Sequence, residues 1–214
     1  MLFLFTLAVV SLIPGFVPPP NIQELFASYG KPKDLPPFAI IKEFDTPVQK
    51  PSVAIREVEK PKRFVCKSCN TNEQRTLAFL QDKGIRDKNA LATILGNIRQ
   101  ESTFVPNVCE GGARTSFGGC RSGGYGLIQW TCDSRYHGLG KHANRIGKDP
   151  STLDAQLSYM LTEGQWKRIE SRMKTPGKSI DRYMNYAYSW IGWGHHGART
   201  SYAHDYARKF TWDS

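Results

Sequence analysis

Glu101 stands in Arg99-Gln100-Glu101-Ser102-Thr103-Phe104-Val105-Pro106-Asn107, where a helical pattern runs out ahead of a proline. On a wheel of 100° per residue it lies about 70° from the centre of the stripe formed by Leu91, Ile94, Leu95 and Ile98. A carboxyl group at that margin loses part of its hydration, and its pKa rises. Such a group suits a general acid that protonates a glycosidic oxygen. The plainer reading is a charge that frays a helix end. The macrodipole disfavours a carboxylate there by about 0.3–1 kcal/mol, so helix stabilisation is not its use.

A second stretch, Gly123 to Thr131 ("GGYGLIQWT"), follows some twenty residues later. Gly123, Gly124 and Gly126 allow a backbone to approach a ligand closely. Tyr125 and Trp130 offer flat faces for stacking on sugar rings, and Gln129 offers both donors and acceptors. The competing reading is a hairpin whose aromatics are core. Two further carboxylates are near in sequence, Glu110 and Asp133. Two acting carboxyls would stand about 5–5.5 Å apart in a retaining glycosidase and about 6.5–9.5 Å apart in an inverting one. If neither reaches Glu101, one glutamate would serve as acid and then base.

Other chemistries fit less well. A cysteine peptidase needs a Cys–His pair. Cys120, Cys132, His137, His142 and the pair His195-His196 are present, but no local signature brings any of them together. A zinc hydrolase on His195, His196 and His204 lacks a carboxylate at ligand spacing, and "GWGHHGART" (Gly192 to Thr200) reads as a cleft wall or a solvated turn. Cys66-Lys67-Ser68-Cys69 has the spacing of half a zinc knuckle without its second half. No metal and no cofactor is therefore expected. Cys109 and Cys120 bracket a glycine-rich loop; a disulfide outside a reducing cytosol and buried free thiols both fit. Five cysteines leave at least one unpaired if only disulfides form.

The elements that must position these groups begin near residue 62. Ten of the thirteen prolines lie at or before Pro61. Residues 18–62 read as an extended Pro-rich arm, either wrapping a partner or spacing the domain from an anchor. Residues 1–17 carry no charged side chain and lack a secretory n-region. Only about 20 Å of helix fits before Pro14, against a hydrocarbon core of about 30 Å. They read as a short anchor or an apolar plug in an assembly, with an uncleaved signal-like segment as the alternative.

Residues 63–214 form the domain, large enough to fold alone. Helices are expected at about 72–83, at 88–102 behind an Asp87 cap, and from a cap at Ser151 through Leu161, with Trp166–Met173 as its continuation. Two more follow, one from a cap at Ser179 to Ile191 and one from about Thr200 to Phe210. Seven glycines between Gly111 and Gly126 interrupt the pattern as turns and a small hairpin. The class is α+β, predominantly α. The domain holds 22 of the 29 Lys and Arg and 13 of the 19 Asp and Glu, a net of +9. That favours a polyanionic partner such as a bacterial wall. No basic stripe marks a nucleic-acid binder.

"ALATILGNIRQESTFVPN" (Ala90 to Asn107), "GGYGLIQWT" and "STLDAQLSYMLTE" (Ser151 to Glu163) together resemble the phage tail lysozyme family in order and spacing, over roughly residues 72–210. The resemblance implies a lysozyme-like fold, with motifs shared by soluble lytic transglycosylases and goose-type lysozymes. It matches Glu101 to the catalytic glutamate, and Tyr125, Gly126 and Gln129 to substrate-binding positions along a cleft. The substrate would be peptidoglycan, cut between N-acetylmuramic acid and N-acetylglucosamine. The setting would be a virion or tail acting at the periplasm and cell wall, with a membrane-anchored or secreted form as the alternative. Residues 1–62 would hold other virion proteins. Lytic transglycosylation by the same glutamate and a non-catalytic structural module are the rival readings. The arm has no counterpart in the family, and the loop "CEGGARTSFGGC" is longer than the usual connection there.

Overall fold

The structure is a computed structural model that describes residues 62–120, 122–131 and 133–213. The expectations for the apolar end and nearly all of the arm fall on residues 1–61, outside the described residues.

Among the described residues the first element is a two-residue strand, β1 (Phe64–Val65), and eight helices follow: α1 (Thr71–Asp82), α2 (Lys88–Ser102), α3 (Asp133–Arg145), α4 (Leu153–Met160), α5 (Gly164–Lys167), α6 (Glu170–Lys174), α7 (Ile180–Ile191) and α8 (Arg199–Lys209). A second short strand, β2 (Thr211–Trp212), pairs antiparallel with β1, placing Phe64 opposite Trp212. The described domain is thus α+β and predominantly helical, as expected.

Side-chain caps set the start of four helices. Asn70 and Glu73 form a reciprocal capping box at the start of α1. The Asp87 carboxylate accepts from the amides of Asn89 and Ala90 and starts α2. Ser179 caps α7. The α4 cap falls one residue later than expected, on Thr152. The Ser151 hydroxyl instead accepts from the Phe117 amide and the Tyr125 hydroxyl, both at 2.8 Å. α5 and α6 are separate short helices, so no single helix continues α4. α3 was not expected at all.

α2 is the axis of the domain. Every residue from Ala90 to Ile98 is buried, so the expected single apolar stripe is in fact a helix covered on all sides. Its closest neighbour is α8. A methyl group at Gly96 would stand 2.7 Å from the Ala203 backbone nitrogen and 2.8 Å from the Arg199 carbonyl oxygen. The missing side chain lets the two backbones touch. α7 packs on α2 through Met184, whose sulfur meets the buried Asn97 amide at 3.3 Å.

Candidate active site

α2 ends on four residues that each reach a different partner. The Arg99 guanidinium lies over the Tyr202 ring at 4.2 Å. Gln100 Oε1 accepts from the Ala198 amide at 2.8 Å, just before α8. Glu101 forms an ion pair with Arg199, the first residue of α8. Ser102 Oγ donates to the Leu127 carbonyl at 2.9 Å and ties the helix end to the glycine-rich insert. The chain then turns through Thr103 (φ 49°) and Phe104 (φ 61°), two successive left-handed residues. That reversal stops the helix three residues before Pro106.

Beyond the helix end opens a cleft of about 570 Å³. Glu101, Gln129 and Glu110 line it, with Arg135 from α3, Trp193 and His195 from the segment between α7 and α8, and Arg199 at the start of α8. The segment "GWGHHGART" is therefore a cleft wall. Another hollow, of about 410 Å³ against β1 and α1, holds none of the candidate residues.

The Glu101 side chain is only 12% exposed. Burial pushes its pKa above the ordinary 4.5, and the hydrogen bond and charge of Arg199 offset that only in part. Arg135 lowers it further and Glu110 raises it, both at longer range. Nη2 of Arg199 donates to Glu101 Oε1, and Nη1 donates to the carbonyls of His195 (2.8 Å) and His196 (2.7 Å). The guanidinium also lies 4.8 Å from the centre of the Trp193 ring. Arg135 is held by Glu163 through two hydrogen bonds of 2.7 and 3.1 Å.

Gln129 lies at the cleft, half-buried and left-handed at φ 51°. Its Nε2 donates to the Gly126 carbonyl at 2.9 Å, and among the described residues Oε1 has no hydrogen-bond donor. Tyr125 and Gly126 are placed elsewhere, which corrects the expectation for both. Tyr125 is fully buried, its ring edge-on to Phe117 and Tyr136, so no sugar can stack on it. Trp130 is equally buried, against Tyr159. The two pair backbone to backbone across a tight turn, so the core reading of these aromatics is the correct one. Gly126 (φ 77°) admits the buried Gln156 amide, which would lie 2.6 Å from any β-carbon added there. Gln156 accepts from the Leu127 amide and donates to the carbonyls of Pro106 and Pro150, clamping the insert against α4.

Of the two candidate second carboxylates, Glu110 reaches the cleft and Asp133 does not. Glu110 also accepts from the Gly124 amide at 3.1 Å. Cys109 and Cys120 form a disulfide, as do Cys66 and Cys69. Cys120 therefore has no free thiol for a peptidase, and the half-knuckle sulfurs are bonded to each other. His142 is buried between Arg145 and Ser158, and burial lowers its pKa. Cys132 lies outside the described residues.

Sequence reasoning missed Arg135, and within the segment it read as a cleft wall or a turn it did not single out Trp193 or Arg199. Arg199 and Glu101 are 98 positions apart. Only the crossing of α2 and α8 at Gly96 joins them, and neither local pattern signals it.

Over 97 residues, 45% of its length, the chain is 34% identical to "Morphogenesis protein 1" of Bacillus phage B103. The match spans about a quarter (24%) of that longer relative. The family model described as phage tail lysozyme matches residues 71–210, which includes α1 through α8, the insert and every residue named at the cleft. The chain belongs to the phage tail lysozyme family.

Proposed function

We propose that the domain cleaves the glycan strand of peptidoglycan as a muramidase, with Glu101 as the general acid. One observation carries this reading: a largely buried carboxyl lining an open cleft, its pKa raised by burial. In that state it can give a proton to the glycosidic oxygen between N-acetylmuramic acid and N-acetylglucosamine as the bond breaks. Gln129 lines the cleft, and its Oε1, which has no donor among the described residues, can accept from an acetamido N–H once its side chain turns to the ligand. Glu110, on the cleft rim, is the carboxylate available to steer the attacking water, since Asp133 does not line the cleft. No metal or cofactor is needed for this chemistry.

The setting we propose is a virion- or tail-associated lysin that opens the wall locally as the genome passes. Residues 1–62 would hold it to other virion proteins, with peptidoglycan as its substrate. The family supports this reading, and the net charge of +9 over residues 63–214 would draw the domain to an anionic wall.

The test is digestion of purified murein by wild type, Glu101→Gln and Glu110→Gln, with mass analysis of the fragments. Glu101→Gln should lose about 10²–10⁴-fold in rate, the usual contribution of a positioned acid. Equal release by wild type and Glu101→Gln would sink the assignment. Reducing ends in the products support hydrolysis. Anhydro-muramic ends, with full activity in Glu110→Gln, would convert the reading to a lytic transglycosylase that works with Glu101 alone. An inert wild type would favour a structural module.

A further inference from the structure

Arg199 is the most tightly held charge at the cleft, and the acid chemistry above gives it no task. Its side chain is 6% exposed, and its three hydrogen bonds run to Glu101 and to the carbonyls of His195 and His196, just ahead of it in the same wall. We infer that Arg199 is a positioning residue, which grips Oε1 of Glu101 and so leaves Oε2 as the oxygen that delivers the proton. The inference rests on the proposed muramidase reading and adds to it the device that aims the acid.

Three observations support it. First, both charges sit at the wrong ends of their own helices. Glu101 is at the C-terminus of α2 and Arg199 at the N-terminus of α8, and the macrodipole opposes each. They are well placed only for each other. Second, Oε2 of Glu101 accepts no hydrogen bond among the described residues, whereas Oε1 is occupied. A carboxyl held by one oxygen has its proton confined to the other. Third, the guanidinium is fixed independently of Glu101. Two backbone carbonyls and the face of Trp193 hold it, while its buried Nε has no partner among the described residues. A buried donor left unpaired is costly, so this arrangement was not built for stability alone.

The charged groups facing Glu101 come from three directions: Arg199 at the start of α8, Arg135 on α3 and Glu110 in the insert. His195, whose carbonyl Arg199 holds, also lines the cleft. Among the four, only Arg199 bonds directly to the carboxyl. Removing its charge should therefore raise the pKa of Glu101 and extend the protonated form to higher pH.

The experiment compares the full-length wild type, Arg199→Lys and Arg199→Gln on murein, as kcat and KM against pH. Glu101 is followed in parallel by its carboxyl carbon resonance. Arg199→Gln should lose about 10²-fold in kcat, as expected for a misaimed group. Its KM should change little, and its alkaline limb should move to higher pH together with the carbon titration. Arg199→Lys should return the limb toward the wild-type position and recover part of kcat. A limb and carbon titration unmoved in an active Arg199→Gln would overturn the inference, even if its melting temperature fell. Should Arg199→Gln fail to fold, the guanidinium nitrogen signals decide. Rotation of the Arg199 Nη groups should be slow in wild type and faster in Glu101→Gln, and equal rotation would overturn the pairing. A wild type that cleaves no murein would sink the proposed function, and the acid role with it. An active wild type with an unmoved limb would sink only the role of Arg199.

Discussion

Glu101 is held in an environment that suits chemistry better than stability. Its folded pKa lies above its ordinary value because burial outweighs the nearby guanidinium. For a carboxyl shifted upward, the folded state keeps the proton more tightly than the unfolded chain does. Its contribution to stability is then complete below about pH 4.5 and is lost as pH rises through the folded pKa. Glutamine cannot ionise. Thermal melts of Glu101→Gln against wild type should therefore nearly coincide at pH 4, with the variant increasingly the more stable above pH 4.5. A wild type that gains stability on the variant as pH rises would contradict the shift. Read from sequence, Glu101 was already a candidate, because its angle on the wheel placed it at an apolar margin. The fate of Tyr125 was not readable. An aromatic in a glycine-rich turn can face solvent or core, and long-range contacts with Phe117, Tyr136 and Ser151 decide between them.

Among the elements, legibility followed the strength of local signals. α2 was predicted with its observed bounds, because Asp87 caps it and its apolar spacing runs out ahead of Pro106. α3 was missed. "DSRYHGLGKHANR" contains two glycines and buries only Leu139, Gly140, His142 and Ala143, so its periodicity is faint. Gly123, Gly124 and Gly126 make room for Glu110, Gln129 and Gln156 of the same chain, a role that the sequence alone does not signal. Gly96 is the counterpart within a helix, and it fixes how closely α8 approaches α2. Gly96→Ala would gain about 1 kcal/mol of helix propensity. Against this stands a clash with two backbone atoms that cannot rotate away, at the upper end of the 1–3 kcal/mol typical of overpacking. The net should be a fall in melting temperature of a few degrees, at about 2–4 °C per kcal/mol for a domain of this size. An unchanged or higher melting temperature would show that the crossing can relax.

For the whole molecule, the two disulfides indicate an environment in which thiols oxidise. They differ greatly in leverage. Cys66–Cys69 spans three positions, whereas Cys109–Cys120 spans eleven and closes the loop that brings Glu110, Gly111 and Gly112 to the cleft. By loop-closure entropy the longer bridge should contribute about 3 kcal/mol. Denaturant unfolding of a Cys109→Ala/Cys120→Ala variant should show about that loss, clearly more than Cys66→Ala/Cys69→Ala. Equal losses would mean that the loop is held by its other contacts. Among the described residues no helix is long and apolar enough to cross a membrane.

The β1–β2 pair has a mechanical consequence. Its strands run antiparallel, and the Asp213 amide bonds the Arg63 carbonyl, so the chain enters and leaves the domain side by side. Tension applied at Lys62 and Asp213 would peel this pair open from its end, straining one hydrogen bond at a time, the geometry in which a sheet resists least. The stack of Phe64 on Trp212 would give way next. α8, which carries Arg199, joins β2 through Phe210 alone, so it would take the load only once the clasp had opened. A pull at the domain's two ends would thus be absorbed by four residues before it reached the acid.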